Sequence, residues 1–103
     1  MSEITTGLIR TFHYEKKTKL KEEYFIHINK KEGIYRSYWK NGQLSVEVNY
    51  INDKMNGIYK EYWSNGQLWE EVNYINDKKE GIQKSYVNWQ LWAEVNYVNG
   101  IHQ

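Results

Sequence analysis

The sequence predicts an all-β chain, an elongated antiparallel meander of roughly seven or eight short strands with no significant helix. Three observations predict it: a 24-residue repeat, Asn-Gly corners between alternating apolar and polar runs, and an aromatic-rich composition without proline. Ten Tyr and five Trp in 103 residues suit a pleated, half-buried surface. A chain with no proline keeps every backbone donor available to a strand ladder.

The repeat is read directly. GIYRSYWKNGQLSVEVNYINDKMN occupies residues 33–56, GIYKEYWSNGQLWEEVNYINDKKE residues 57–80, and GIQKSYVNWQLWAEVNYVNG residues 81–100. Gly33, Gly57 and Gly81 are spaced by 24, as are Asn49 and Asn73. Upstream the pattern fades: 24 places before Leu44, Val48 and Tyr50 stand Leu20, Tyr24 and Ile26. Phe12-His13-Tyr14 resembles the first strand of a unit, and the lysine-rich stretch from Lys16 to Lys21 reads as its enlarged, solvated turn. Residues 1–103 are thus expected to form one domain, with a degenerate N-terminal unit at 1–32 and three clear repeats. Terminal repeats are atypical because they cap an array.

In the first clear unit, a two-residue type I′ turn at Asn41-Gly42 needs positive φ at both positions and sets the register. Trp39 then opposes Leu44, Ser37 opposes Val46, Tyr35 opposes Val48 and Gly33 opposes Tyr50, all on one face. Lys40 with Gln43, Arg36 with Glu47, and Ile34 with Asn49 occupy the other, largely polar face. The second unit repeats this with Trp63 against Leu68, Tyr59 against Val72 and Lys60 against Glu71. It also sets Glu61 against Glu70, an unfavourable like-charge pair. A turn at Asn52-Asp53 places Tyr50 against Met55, Val48 against Gly57 and Val46 against Tyr59, again on the apolar side. Glycine at 57 and 81 would leave room over the sheet or permit a bend. The third unit is one residue shorter, so a three-residue loop at 88–90 is needed to set Val87 against Leu91, Lys84 against Glu94 and Gly81 against Tyr97. Trp89 then sits at an exposed tip. A sheet with one apolar face must cover it, by curling or by docking a partner.

The composition excludes several classes of function. The net charge of +1, from 14 basic and 13 acidic residues, argues against a nucleic-acid partner. With no cysteine, neither disulfides nor thiolate zinc sites are available. Residues 1–12 carry no signal-peptide pattern and no run reaches the length of a membrane span, so a cytoplasmic location is expected. His13, His27 and His102 lie far apart without metal-ligand spacing. Asp53 and Asp77 occupy turns, where Asp serves the backbone. Glu47, Glu71 and Glu94 recur at equivalent positions, as structural partners of Arg36, Lys60 and Lys84 do, whereas a catalytic carboxylate is singular. Serines 37, 45, 64 and 85 have no neighbouring base. No catalytic residue, metal or cofactor is expected, and the chain reads as non-enzymatic.

A second aromatic set falls on the nominally polar face: Tyr38, Tyr62, Tyr86, Trp69 and Trp92, with Tyr62 set against Trp69 and Tyr86 against Trp92. Such pairs stabilise a sheet by themselves. They are also the residue types that anchor partners. Together with Trp89 they are the candidate partner-binding residues.

The unit G-I-Y-K-E-Y-W-S-N-G-Q-L-W-E-E-V-N-Y, followed by a second turn and the next Gly, resembles the MORN repeat, in the bacterial variant found in the YwqK-like antitoxin family. The resemblance covers residues 33–100 well and 7–32 loosely. It departs at the second turn, Asn52-Asp53 and Asn76-Asp77 in place of Asn-Gly, and at Asn88-Trp89. The resemblance implies an elongated, gently twisted sheet acting in protein–protein contacts, with an antitoxin or immunity-like partner role as its specific form. Membrane contact is implied for some relatives, though no residue pattern here supports it. The alternative is a carbohydrate- or lipid-headgroup-binding module using stacked Tyr and Trp. A homodimer through a sheet edge or the aromatic face is compatible with either, because an open meander leaves unpaired edges.

Overall fold

The computed structural model describes residues 6–13 and 19–103. The expected turn from Lys16 lies largely outside these residues, as does Tyr14. Eight long strands follow one another as a meander: β1 (Gly7–Phe12), β2 (Leu20–His27), β4 (Gly33–Tyr38), β5 (Leu44–Ile51), β7 (Gly57–Tyr62), β8 (Leu68–Ile75), β10 (Gly81–Val87) and β11 (Gln90–Val98). Four two-residue strands bring the number among the described residues to twelve: β3 (Lys30–Lys31), β6 (Lys54–Met55), β9 (Lys78–Lys79) and β12 (Ile101–His102), each folding back on the long strand before it. Among the described residues there is no helix. The molecule measures 49 × 31 × 15 Å, a single sheet one layer thick.

Within each hairpin the expected register holds away from the tip. Gly33 pairs with Tyr50, Tyr35 with Val48, Arg36 with Glu47 and Ser37 with Val46; the second unit is equivalent, including Glu61 opposite Glu70. The tips differ from expectation. Asn41 does not adopt positive φ, whereas Gly42 sits at +89°. Gly42 N–H donates to the Trp39 carbonyl (2.9 Å) and Trp39 N–H to the Gln43 carbonyl (2.8 Å), closing a three-residue loop over residues 40–42. The Asn41 Oδ1 accepts from Gln43 N–H at 2.9 Å, so the side chain serves its own turn. A bulge at Ser45 then moves Leu44 from Trp39 to Tyr38, and Leu68 likewise pairs with Tyr62. In the shortened unit the bulge falls at Trp92. Tyr86 meets Leu91, and Val87 meets Gln90 across a two-residue turn at Asn88-Trp89, in place of the expected longer loop. Both of those turn residues have positive φ, 51° and 65°, as do Asn52-Asp53 (53° and 71°) and Asn76-Asp77 (48° and 68°). The type I′ geometry thus lies in the links, Asn99-Gly100 among them, and in the last tip, and not at Asn41-Gly42 or Asn65-Gly66.

Between hairpins the pairing slips by two residues from expectation: Val46 meets Glu61 and Glu47 meets Lys60. Asn56 and Gly57 (φ +117°) take up the extra length, and an even slip keeps every side chain on its face. No heavy atom lies within 4 Å of where a Cβ would stand on Gly81 (φ +94°), so this glycine serves the bend and makes no room for a neighbour.

One face carries Tyr24, Tyr35, Tyr50, Tyr59, Tyr74 and Tyr97. This tyrosine face holds both fully buried side chains, Val48 and Val72, at 2% and 1% exposure. No second layer covers them. Val48 lies between Tyr35 and, continuing the inter-hairpin register, Tyr59, and the long neighbours form the lid. The rings of Tyr24 and Tyr35 approach to 5.5 Å, those of Tyr35 and Tyr50 to 5.9 Å, and those of Tyr59 and Tyr74 to 5.7 Å. The Lys31 ammonium lies 5.0–5.4 Å from the Tyr24, Tyr35 and Tyr50 centroids, and Lys79 Nζ 4.8 Å from Tyr97. Over Val48 and Val72 the face is thus covered by its own polar-tipped side chains.

Two columns of contacts tie successive units together at their ends. At the tips, His13 Nε2 meets the Tyr38 carbonyl (2.9 Å), Trp39 Nε1 donates to the Tyr62 carbonyl (3.1 Å) and Trp63 Nε1 to the Tyr86 carbonyl (3.4 Å). At the links, the first turn N–H of each unit donates to the side chain preceding a glycine: Ile28 to Thr6, Asn52 to Glu32, Asn76 to Asn56 and Asn99 to Glu80. Asp53 and Asp77 accept in turn from Lys31 and Met55 N–H.

Candidate functional site

The face opposite the tyrosines is organised around charge. Arg10, Glu23, Arg36, Glu47, Lys60, Glu71, Lys84 and Glu94 stand side by side on the eight long strands, each paired with the next. The sign alternates at every step. Arg10 bridges Glu23 at 2.9 Å, Arg36 bridges Glu47 at 2.8 Å, and Lys60 reaches Glu71 at 4.0 Å. The sequence shows the pairs within hairpins, and the structure joins them into one ladder. Hydrogen bonding to Glu47 holds the Arg36 guanidinium above its usual value.

Apolar rows flank this ladder. On the tip side the bulges create the row Phe12, Leu20, Tyr38, Leu44, Tyr62, Leu68, Tyr86 and Leu91. On the link side stand Ile34, Ile51, Ile58, Ile75 and Ile82, between 45% and 54% exposed. Beside Ile51 and Ile75 lie the exposed Lys54 and Lys78, and Lys30 holds the equivalent position beside His27. Asn49, Asn73 and Asn96 stand opposite Ile34, Ile58 and Ile82, so the isoleucines of the link side alternate with amides from strand to strand.

The candidate aromatics do not form a single ladder. Tyr38, Tyr62 and Tyr86 lie in the tip row, half-buried against Leu44, Leu68 and Leu91. Trp69 does not oppose Tyr62; it occupies the bulge and stacks on Trp63, with centroids 4.5 Å apart and planes at 25°. Trp92 occupies the corresponding bulge and does not oppose Tyr86. Trp92 and Trp89 are 70% and 64% exposed at one corner of the sheet. The bulges divide the set, because an extra residue in one strand re-aims the side chain beside it. The isoleucines were absent from the expected site. Their signal is legible afterwards: Ile34, Ile58 and Ile82 each follow a repeat glycine, and Ile51 and Ile75 each precede an Asn-Asp turn.

Ionisable groups elsewhere serve the sheet. The Tyr35 hydroxyl donates to Glu22, which this bond holds below the usual carboxylate range. Tyr59 donates to Glu61 (2.9 Å), and Gln83 Nε2 to Glu70 (2.7 Å). The like-charged pair Glu61 and Glu70 is thereby held by separate donors. Burial raises the Tyr35 and Tyr59 hydroxyls well above their ordinary value. Among the described residues, no group of three or more His, Asp or Glu is placed to hold a metal ion.

Residues 31–52 and 55–76 each match the family described as MORN repeat variant, in tandem. No curated protein and no solved structure matches the chain. MORN repeats are, in general, non-catalytic modules that contact proteins and membranes.

Proposed function

We propose that the chain is a non-catalytic interaction module whose isoleucine face receives another protein. The observation carrying this reading is the row of half-exposed isoleucines repeated along three hairpins, with Lys54 beside Ile51 and Lys78 beside Ile75. Apolar side chains of a partner would seat on the row, and carboxylates at its border would meet the lysines. The row spans several units, so affinity would come from many equivalent contacts on a rigid surface. An antitoxin or immunity-like role is the specific form of this reading, with a toxic protein as partner, and it rests on the resemblance of the repeat.

The test is affinity capture from the native host with the full chain and with Ile51→Asp/Ile75→Asp, read beside the identity of the adjacent gene. A partner retained by the native chain and lost by the variant supports the reading; equal capture by both refutes it. A second reading, a carbohydrate or lipid headgroup stacked on indole, draws on the exposure of Trp89 and Trp92 at one corner. Titration with a glycan panel and with anionic vesicles, followed by tryptophan fluorescence, tests it. A flat response removes it.

A further inference from the structure

We infer that copies of this chain associate head to tail, with β1 of one copy pairing along the open side of β11 of another. Among the described residues, β1 pairs only with β2. Beyond its pairing with β10, β11 meets β12 only at Tyr97 and Val98. The Gln103 N–H donates to the Asn96 carbonyl, so Asn96 presents its backbone groups away from β10. By strand alternation Glu94 does the same, and among the described residues no strand meets this side between Gln90 and Val95.

The partner is named by charge. The ladder begins with a cation, Arg10, on one edge strand and ends with an anion, Glu94, on the other. Every junction between units uses one two-row register: Glu22 with Ser37 beside Glu23 with Arg36, Val46 with Glu61 beside Glu47 with Lys60, and Glu70 with Ser85 beside Glu71 with Lys84. The same register sets Ala93 and Glu94 of one copy against Thr11 and Arg10 of the next. On the tyrosine face Val95 would stand beside Ile9. A two-fold pairing centred on the ladder would set Glu94 against Glu94, or Arg10 against Arg10, which like charges disfavour. A head-to-tail contact leaves the same free edges at its ends, so assembly proceeds to a ring or a filament.

The test is a charge exchange on the full chain, with mass read by light scattering across a concentration series and folding checked by circular dichroism. Native protein is expected at rising multiples of 12.5 kDa. Arg10→Glu alone and Glu94→Lys alone are each expected at the single-chain mass. An equimolar mixture restores assembly, because both junctions then pair opposite charges. Glu94→Pro supplies an arm that leaves Arg10 and its bridge to Glu23 in place: it removes the outward donor from an edge strand, where proline is tolerated, and is expected to be monomeric. Native protein that stays at one chain, native protein that stops at two, or a mixture that remains monomeric overturns the inference. So does assembly lost in Ile58→Asp and kept in the charge variants, which would place the contact on the isoleucine face.

Discussion

Trp63 stacks on Trp69 within its own hairpin and donates its Nε1 to the carbonyl of Tyr86 in the next, joining packing inside a unit to attachment between units. Trp39 makes the equivalent hydrogen bond to Tyr62, but Ser45 stands where the second indole would be. Trp39→Phe is therefore expected to lower stability by about 1 kcal/mol, the net worth of one hydrogen bond. Trp63→Ala should cost more than Trp39→Ala by about 1 kcal/mol, the value of an aromatic pair. Urea midpoints measure both, and loss of an exciton signal in the far-ultraviolet dichroism of Trp69→Phe reports the stack.

Burial is concentrated at Val48 and Val72, beneath tyrosine rings on one face. Val48→Ala and Val72→Ala are each expected to destabilise by about 2 kcal/mol. Ile51→Ala, on the open face, should change stability by no more than about 0.5 kcal/mol. Equal losses at all three positions would show that the isoleucine face is already covered in the isolated chain.

Glu47 stands between Arg36 and Lys60 in the middle of the ladder. Glu47→Lys would place three cations in a row and is expected to cost about 1 kcal/mol in dilute buffer, a loss that shrinks as salt is added. Denaturation at low and high ionic strength compares the two. A salt-independent loss would assign the effect to packing.

Acid and alkali should act through the tyrosine face. Glu22 is held below its ordinary value of 4.5, chiefly by the Tyr35 hydroxyl, against the opposing effect of burial. Its contribution to stability is present above pH 4.5 and is lost as pH falls through the lower folded value. Glu22→Gln is expected to flatten that acid loss. Tyr35 and Tyr59 shift upward, through burial first and then the hydrogen bonds to Glu22 and Glu61. Their contribution is present below pH 10.0 and is lost as pH rises above it. Urea midpoints across both windows check the signs.

The register near each repeat glycine was legible because Tyr35, Val48, Tyr59 and Val72 each have a charged residue next to them in sequence, and a one-residue slip would turn them all to the charged face. The same pattern disclosed Arg36 with Glu47 and Lys60 with Glu71. It did not disclose the bulges at Ser45, Trp69 and Trp92. A bulge leaves the local pattern of residue types intact and changes only which partner each one meets. The candidate aromatics were therefore separated by a feature invisible to periodicity. The Asn-Gly corners misled for a related reason: Asn41 can bond its own turn through its side chain, an option that the dipeptide alone does not exclude.

By itself the sequence determined the meander, its 24-residue unit and the face on which Val48 and Val72 are buried, since these follow from local alternation and turn-forming residues acting over a few positions. Only the tertiary structure decided how one hairpin sits against the next. That docking depends on a two-residue slip at each link, on ring nitrogens reaching neighbouring carbonyls, and on opposite charges meeting between units. These contacts join residues of successive repeats, and no single repeat contains both partners.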